Sequence, residues 1–121
     1  MYGWAGNTLV VDLSKGETEK IPLDKELKLK YLGGRGINSR ILYDNIKPGV
    51  DPLSPGNIFI VGVSPFTGTG LIQSGRCHVT AKSPLTHILG DSNAGGHFGP
   101  ELKWAGYDNI IFKGKSKSPV Y

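Results

Sequence analysis

Short apolar runs, alternating or continuous and broken by glycine and proline, extend along the whole chain. Asn7 to Leu13 reads Asn-Thr-Leu-Val-Val-Asp-Leu and stops at Ser14-Lys15-Gly16. Glu17 to Ile21 is a second extended run, so the pair predicts a hairpin. Asp24 is placed to cap a short helix with Leu27 and Tyr31 on one face. Gly33-Gly34-Arg35-Gly36 interrupts that helix. A further helical stretch from Ile37 to Tyr43 sets Ile37, Ile41 and Leu42 on one side. Asp51-Pro52-Leu53-Ser54-Pro55-Gly56 ends it firmly.

Ile58 to Val63 is a continuous apolar run of strand length, which predicts a central strand covered on both faces. Ser64 to Gly70 follows as a glycine-containing loop. From Arg76 to Lys82 the pattern alternates: Arg76, His78, Thr80 and Lys82 face one way, Cys77, Val79 and Ala81 the other. That predicts a half-buried strand. Thr86 to Leu89 is a short strand candidate, and Asp91 to Gly96 reads as a loop. A short helix is expected from about His97 to Ala105, with Phe98, Leu102 and Ala105 inward and Gly106 as its stop. Asp108 to Phe112 is a last strand. The order predicts a single α+β domain over residues 1–121: β-rich, largely antiparallel sheet, with two short helical segments.

Composition narrows the classes. The chain has 121 residues, 18 Gly, 8 Pro and one Cys, and hydrophobic residues make up 38%. So much Gly and Pro fits many sharp turns and excludes a helical bundle. No apolar run is long enough to cross a bilayer, so no membrane partner is expected. The start, Met1-Tyr2-Gly3-Trp4, has no signal-peptide pattern. A lone cysteine, Cys77, forms no internal disulfide and holds no zinc site or iron–sulfur cluster within these residues. A cytoplasmic location is the simplest expectation. The net charge of +4 raises nucleic acid as a partner. The lysines between Lys20 and Lys30 are interleaved with Glu17, Glu19, Asp24 and Glu26, however. Lys113, Lys115 and Lys117 suit one exposed face of a strand. Both patterns read as solvated faces, so no nucleic-acid partner is expected.

The chemistry concentrates in three glycine-rich loops: Gly33-Gly34-Arg35-Gly36, Ser64 to Gly70, and Ser92-Asn93-Ala94-Gly95-Gly96. Glycine lets a flat ligand approach the backbone, and a helix start suits an anion. Asn93 adds an amide able to bind a metal ion or a heteroatom edge. Arg76 adds a planar charged fork suited to phosphate. No Walker or dinucleotide signature is present, and tight turns alone also account for the glycines. His78, His87 and His97 have no metal-motif spacing and read as surface or packing residues. Cys77 falls on the apolar side of its strand and reads as a buried hydrophobe. The residues by themselves point to an anion-binding or cofactor-cradling domain without catalytic machinery.

Several stretches occur together and in order. They are Met1-Tyr2-Gly3-Trp4, Tyr31-Leu32-Gly33-Gly34-Arg35-Gly36, Asp51-Pro52-Leu53-Ser54-Pro55, and Pro65-Phe66-Thr67-Gly68-Thr69. Gly75-Arg76, Ala81-Lys82-Ser83-Pro84-Leu85-Thr86 and the run from Asn93 to Asp108 follow. Each alone is weak, but the set closely resembles the N-terminus of the tungsten-containing aldehyde ferredoxin oxidoreductase family. The resemblance covers essentially the entire chain.

It implies a tungsten (or molybdenum) bis-pterin cofactor and aldehyde-to-carboxylate chemistry. Electrons would leave for ferredoxin or a similar carrier through a [4Fe–4S] cluster present only in the full-length enzyme. By position, Arg76 resembles a pterin-contacting arginine. Asn93 resembles the residue at the pterin phosphates beside a bridging magnesium ion. Ala94 and Gly95 would supply backbone contacts, with Lys82 and Ser92 as neighbours. No catalytic residue is expected here, since the family's cluster cysteines and catalytic groups lie downstream. The chain therefore resembles one half of a duplicated pterin-binding domain, an expressed fragment, a broken gene product or a small subunit. Its partner would be the remainder of the enzyme. Ser118 to Tyr121 reads as the start of a further strand. Uncovered apolar surface and homo-oligomerisation are expected, and the alternative is a non-catalytic anion-binding or assembly module.

Overall fold

In a computed structural model the described residues are 3–121; the Met1-Tyr2 part of the first motif lies outside them. The elements run β1 (Asn7–Asp12), β2 (Glu17–Pro22), α1 (Lys25–Tyr31), α2 (Gly34–Asn45), β3 (Ile58–Val63), β4 (Cys77–Lys82), β5 (Leu89–Ala94), α3 (Phe98–Trp104) and β6 (Asn109–Lys113). The strands form one six-stranded sheet in the order β2-β1-β6-β3-β4-β5. Every neighbouring pair is antiparallel except β1 with β6. This is the β-rich α+β architecture that the pattern predicts, with β3 inside the sheet, and with three helices in place of the two helical segments expected.

The continuous apolar run of β3 is explained by cover on both faces. Successive side chains point to opposite sides of a pleated strand. Ile58 and Ile60 join Leu23, Ile37, Ile41 and Leu42 beneath α2. Val61 and Val63 join Cys77 and Leu102 beneath α3. Asp24 caps α1 by accepting from the Glu26 N–H at 2.5 Å, and Leu27 and Tyr31 pack against the first core. The α3 helix covers only one end of the second face. Farther along, Phe59 and Phe112 sit with ring centroids 6.0 Å apart, and Phe59 is 46% exposed.

Several local expectations change. Residues 84–88 form a turn, and β5 starts only at Leu89, so Thr86 to Leu89 is not a strand. Asp91 to Ala94 belongs to β5 and is not a loop. Its composition is polar because it is an edge strand, bonded on one side only. Phe98 and Ala105 are exposed, which leaves Leu102 and Gly99 as the buried side of α3. Gly106 ends that helix with φ +93° as expected. The last strand stops at Lys113, so Lys115, Lys117 and Ser118 to Tyr121 lie outside any strand.

A buried amide pair clamps α2 to the sheet. Asn109 Nδ2 donates to Asn38 Oδ1 at 2.7 Å. Asn38 Nδ2 in turn donates to the His78 carbonyl at 3.0 Å and to Thr80 Oγ1 at 3.3 Å. Gly62 makes room for this pair, since a Cβ there would collide with both amides. Gly62→Ala is expected to destabilise the fold by about 3 kcal/mol, because buried polar groups would lose their partners. Denaturant unfolding checks this, and a loss under about 1 kcal/mol would mean that the node yields without breaking.

Candidate functional site

Three segments that are distant in sequence meet at one end of the sheet. The first is the start of α2. Gly33 N–H donates to the Tyr31 carbonyl at 2.7 Å, and Leu32 between them has φ 65° and ψ −63°. This is the strained form of the γ-turn, adopted here by a β-carbon-bearing residue. Trp4 Nε1 braces it by donating to the Leu32 carbonyl at 2.7 Å. The turn delivers Gly33 against Ser64 and Pro65, and Gly34 against the His78 ring; a Cβ on Gly34 would sit 2.6 Å from His78 Cδ2. The glycine run is thus the first turn of α2 and not an interruption ahead of it.

The second segment is the connection from β3 to β4. Thr67 is fully buried. Its hydroxyl accepts from the Ser64 N–H at 3.2 Å and donates to the Arg76 carbonyl at 3.4 Å. That closes the loop on itself and sets where Arg76 leaves it. Trp104 Nε1 holds the Gly68 carbonyl at 2.9 Å. The third segment is β5, where the register pairs His78 with Asn93 and Thr80 with Asp91. Arg76, His78, Asn93 and Asp91 consequently share the sheet face toward α2.

Arg76 and Asn93 are brought together: Arg76 Nη1 donates to Asn93 Oδ1. The Ala94 carbonyl accepts from Cys77 Sγ at 3.7 Å. Gly95 has open space where a side chain would be, so nothing in the chain's own packing calls for glycine there. Asn93 and Ala94 lie on an edge strand, which replaces the expected helix-entrance geometry; the helix that follows Gly95 and Gly96 has only seven residues. Two expected neighbours fall elsewhere. Lys82 is at the far end of β4 with Nζ 2.6 Å from the Val50 carbonyl. Ser92 is in register with Val79, on the opposite face.

Two residues are added by the structure. Arg35, in the first turn of α2, places Nε 2.6 Å from Asp91 Oδ2. His78 lies between the arginines. Only the strand alternation from Arg76 hints at His78 in the sequence, and only the Gly-Gly-Arg-Gly run hints at Arg35. A shallow hollow opens beside them, lined by Ser64, Phe66, Leu71, Ile72, Arg76 and His78. Burial pushes the His78 imidazole below its ordinary 6.5; the Asp91 carboxylate opposes this, and the Arg35 and Arg76 charges reinforce it. Among the described residues no group of three His, Cys, Asp or Glu gathers to hold a metal. Cys77 is buried among apolar side chains. No helix among those residues is long and apolar enough to cross a membrane.

Fold and site define an α+β domain that presents braced arginines and open backbone at a sheet edge. The family model for the aldehyde ferredoxin oxidoreductase N-terminal domain matches residues 8–121. Tungsten-containing aldehyde ferredoxin oxidoreductase of Pyrococcus furiosus is 46% identical over 121 residues, all of this chain and 20% of its own length. The enzyme of the same name from Thermococcus kodakarensis is 44% identical over the same share. A solved structure, the active site complex BamBC of benzoyl coenzyme A reductase with 1,5-dienoyl-CoA, superposes with TM-score 0.97 at 43% identity; the match covers 99% of this chain and 18% of that one. The chain belongs to the aldehyde ferredoxin oxidoreductase family, matching its N-terminal domain. It spans about a fifth of the length of these relatives.

The His78 shift has a pH consequence. A histidine whose folded pKa is lowered binds fewer protons folded than unfolded. Stability is therefore highest above pH 6.5 and falls as pH drops below it, toward the folded value. His78→Gln is expected to flatten that part of the profile. Unfolding midpoints across pH 5 to 7.5 check this, and an unchanged slope in the variant would refute it.

Proposed function

We propose that this chain is the cofactor-cradling N-terminal portion of a tungsten-containing aldehyde ferredoxin oxidoreductase, and that its ligand is a phosphorylated pterin. The observation that supports this most is the Arg76–Asn93 bond on the β5 edge, beside the open backbone at Gly95. A permanently charged fork suits a phosphate. Alternate residues of an edge strand turn their N–H and C=O groups away from the sheet, which suits the amide-like edge of a flat heterocycle. The half-apolar hollow at Phe66 and Ile72 suits the ring.

The residues fit the pterin and its phosphate. They fit magnesium less directly, because Asn93 Oδ1 is already committed to Arg76. They do not fit a [4Fe–4S] cluster, since the single Cys77 is enclosed in the second core. When bound, the tungsten pterin would supply the two-electron oxidation of an aldehyde to a carboxylate. The cluster, the ferredoxin contact and the substrate pocket belong to other parts of the enzyme. Here, Arg76 binds and orients the phosphate, Asn93 holds the guanidinium in place, and Ala94 and Gly95 offer main-chain contacts.

Two measurements test this reading. The 121-residue chain alone is expected to oxidise no aldehyde with a viologen acceptor, and turnover by it would refute the assignment of the chemistry to other parts. In the whole enzyme carrying this domain, Arg76→Met is expected to lower tungsten and pterin content at least roughly threefold without unfolding the domain. Undiminished content, by elemental analysis and pterin fluorescence, would overturn the cradle reading.

A further inference from the structure

We infer that Asp108 is a positioning residue for the candidate site: its buried carboxylate latches an N-terminal strap, residues 3–6, against the loop that carries Pro65. This rests on the cofactor-cradling reading and adds a residue outside the segments that form the site. Asp108 Oδ1 accepts from the Ala5 N–H at 3.1 Å, and Oδ2 accepts from the Gly6 N–H at 2.6 Å. Lys103 Nζ pairs with Oδ1 and also donates to the Gly3 carbonyl at 3.0 Å. The Asp108 side chain is 1% exposed and that of Lys103 10%. Hydrogen bonds to a charged group are about twice as strong as neutral ones. The strap is therefore held more firmly than a chain end ordinarily is.

The strap touches the scaffold of the site at two places. Trp4 braces the Leu32 carbonyl. Gly3, at φ +91°, passes so near Pro65 that a Cβ would lie 3.1 Å from Pro65 Cβ. Gly33 presses on Pro65 as well, since a Cβ there would lie 2.8 Å from its Cδ. Pro65 is thus gripped by the strap and by the turn ahead of α2, and the strap braces that turn too. The loop is rooted on the same residue, because the Val63 N–H donates to the Asp108 carbonyl at 2.9 Å. Asp108 holds the strap with its side chain and the start of the β3–β4 connection with its main chain. A buried ion pair seldom adds net stability over apolar residues of similar volume. What this pair adds is direction. It fixes the strap, and through it the start of α2 and the connection that ends in Arg76.

Amide hydrogen exchange on the 121-residue chain tests the latch. Asp108→Asn keeps the size but loses the charge and one acceptor. It is expected to speed exchange at Gly33, Gly36 and Thr67 at least roughly tenfold more than at Ile60 and Val61 in β3. A residue that only stabilised the fold would speed all five alike. Trp4→Phe removes one exposed donor, keeps an aromatic ring and leaves the ion pair intact. It is expected to speed Gly33 and Gly36 in the same selective way. Uniform acceleration in Asp108→Asn, or unchanged exchange at Gly33 and Gly36 in Trp4→Phe, would overturn the latch. In the whole enzyme, Trp4→Phe is expected to lower pterin content roughly twofold, because a loosened support misplaces the groups it holds. Undiminished content there, alongside the loss in Arg76→Met, would overturn the positioning role and leave the cradle reading standing. Exchange in the chain alone reports on the latch whatever the pterin content.

Discussion

The position of α2 on the sheet depends on Asn38. Its side chain is wholly buried and hydrogen-bonds to β4 and β6, the two strands that flank β3. Between those contacts lies Gly62, whose missing side chain leaves the space the amides occupy. Buried amides are costly without partners and directional with them, so they set a register that apolar contacts leave free. Ile37, Ile41 and Leu42 supply most of the burial energy under α2. They would tolerate a small slide along the sheet, whereas the Asn38 bonds would not. Because Asn38 lies one turn inside α2, fixing it also fixes Gly34 against His78 and Arg35 against Asp91.

The strain at Leu32 belongs to the same arrangement. A γ-turn of this hand on a residue with a side chain persists only where its surroundings hold it in place. Here Trp4 braces the Leu32 carbonyl, and Gly33 packs on Ser64 and Pro65. The turn brings the start of α2 to the β3–β4 loop. Thr67 and Trp104 hold that loop from the other side. The candidate site is therefore assembled by a few directed bonds at loop ends, and the two apolar cores supply the platform beneath.

Much of this was legible in the chain. The hairpin, the buried strand at Ile58 to Val63, the inner faces of α1 and α2, and the stop at Gly106 follow from patterns of period two or three to four. These are signals of burial: the cores bury Ile37, Ile41 and Leu42 of α2 and Ile58, Ile60, Val61 and Val63 of β3, and Leu27 and Tyr31 of α1 pack against the first. Arg76 and Asn93 were legible as chemistry, and their meeting follows from β4 and β5 being antiparallel neighbours. What escaped was β5 itself. Leu-Gly-Asp-Ser-Asn-Ala carries no apolar alternation, because an edge strand over a polar site has no core face to advertise. Arg35 and Asp91 escaped for a related reason: their pairing depends on how α2 docks, and no local pattern encodes docking.

The polar edge also resolves a conflict in the sheet design. An unpaired strand invites another chain to add to it, and natural sheets blunt that hazard with charge and irregularity. β5 has both: Asp91 within it, and Gly95 and Gly96 immediately after it. The residues that keep this edge from pairing with another strand are the ones that hold Arg35 and open the backbone at Gly95. Protection against strand addition and access for a flat anionic ligand are met by one set of side chains. A substitution making β5 more strand-like would close the site as it strengthened the sheet.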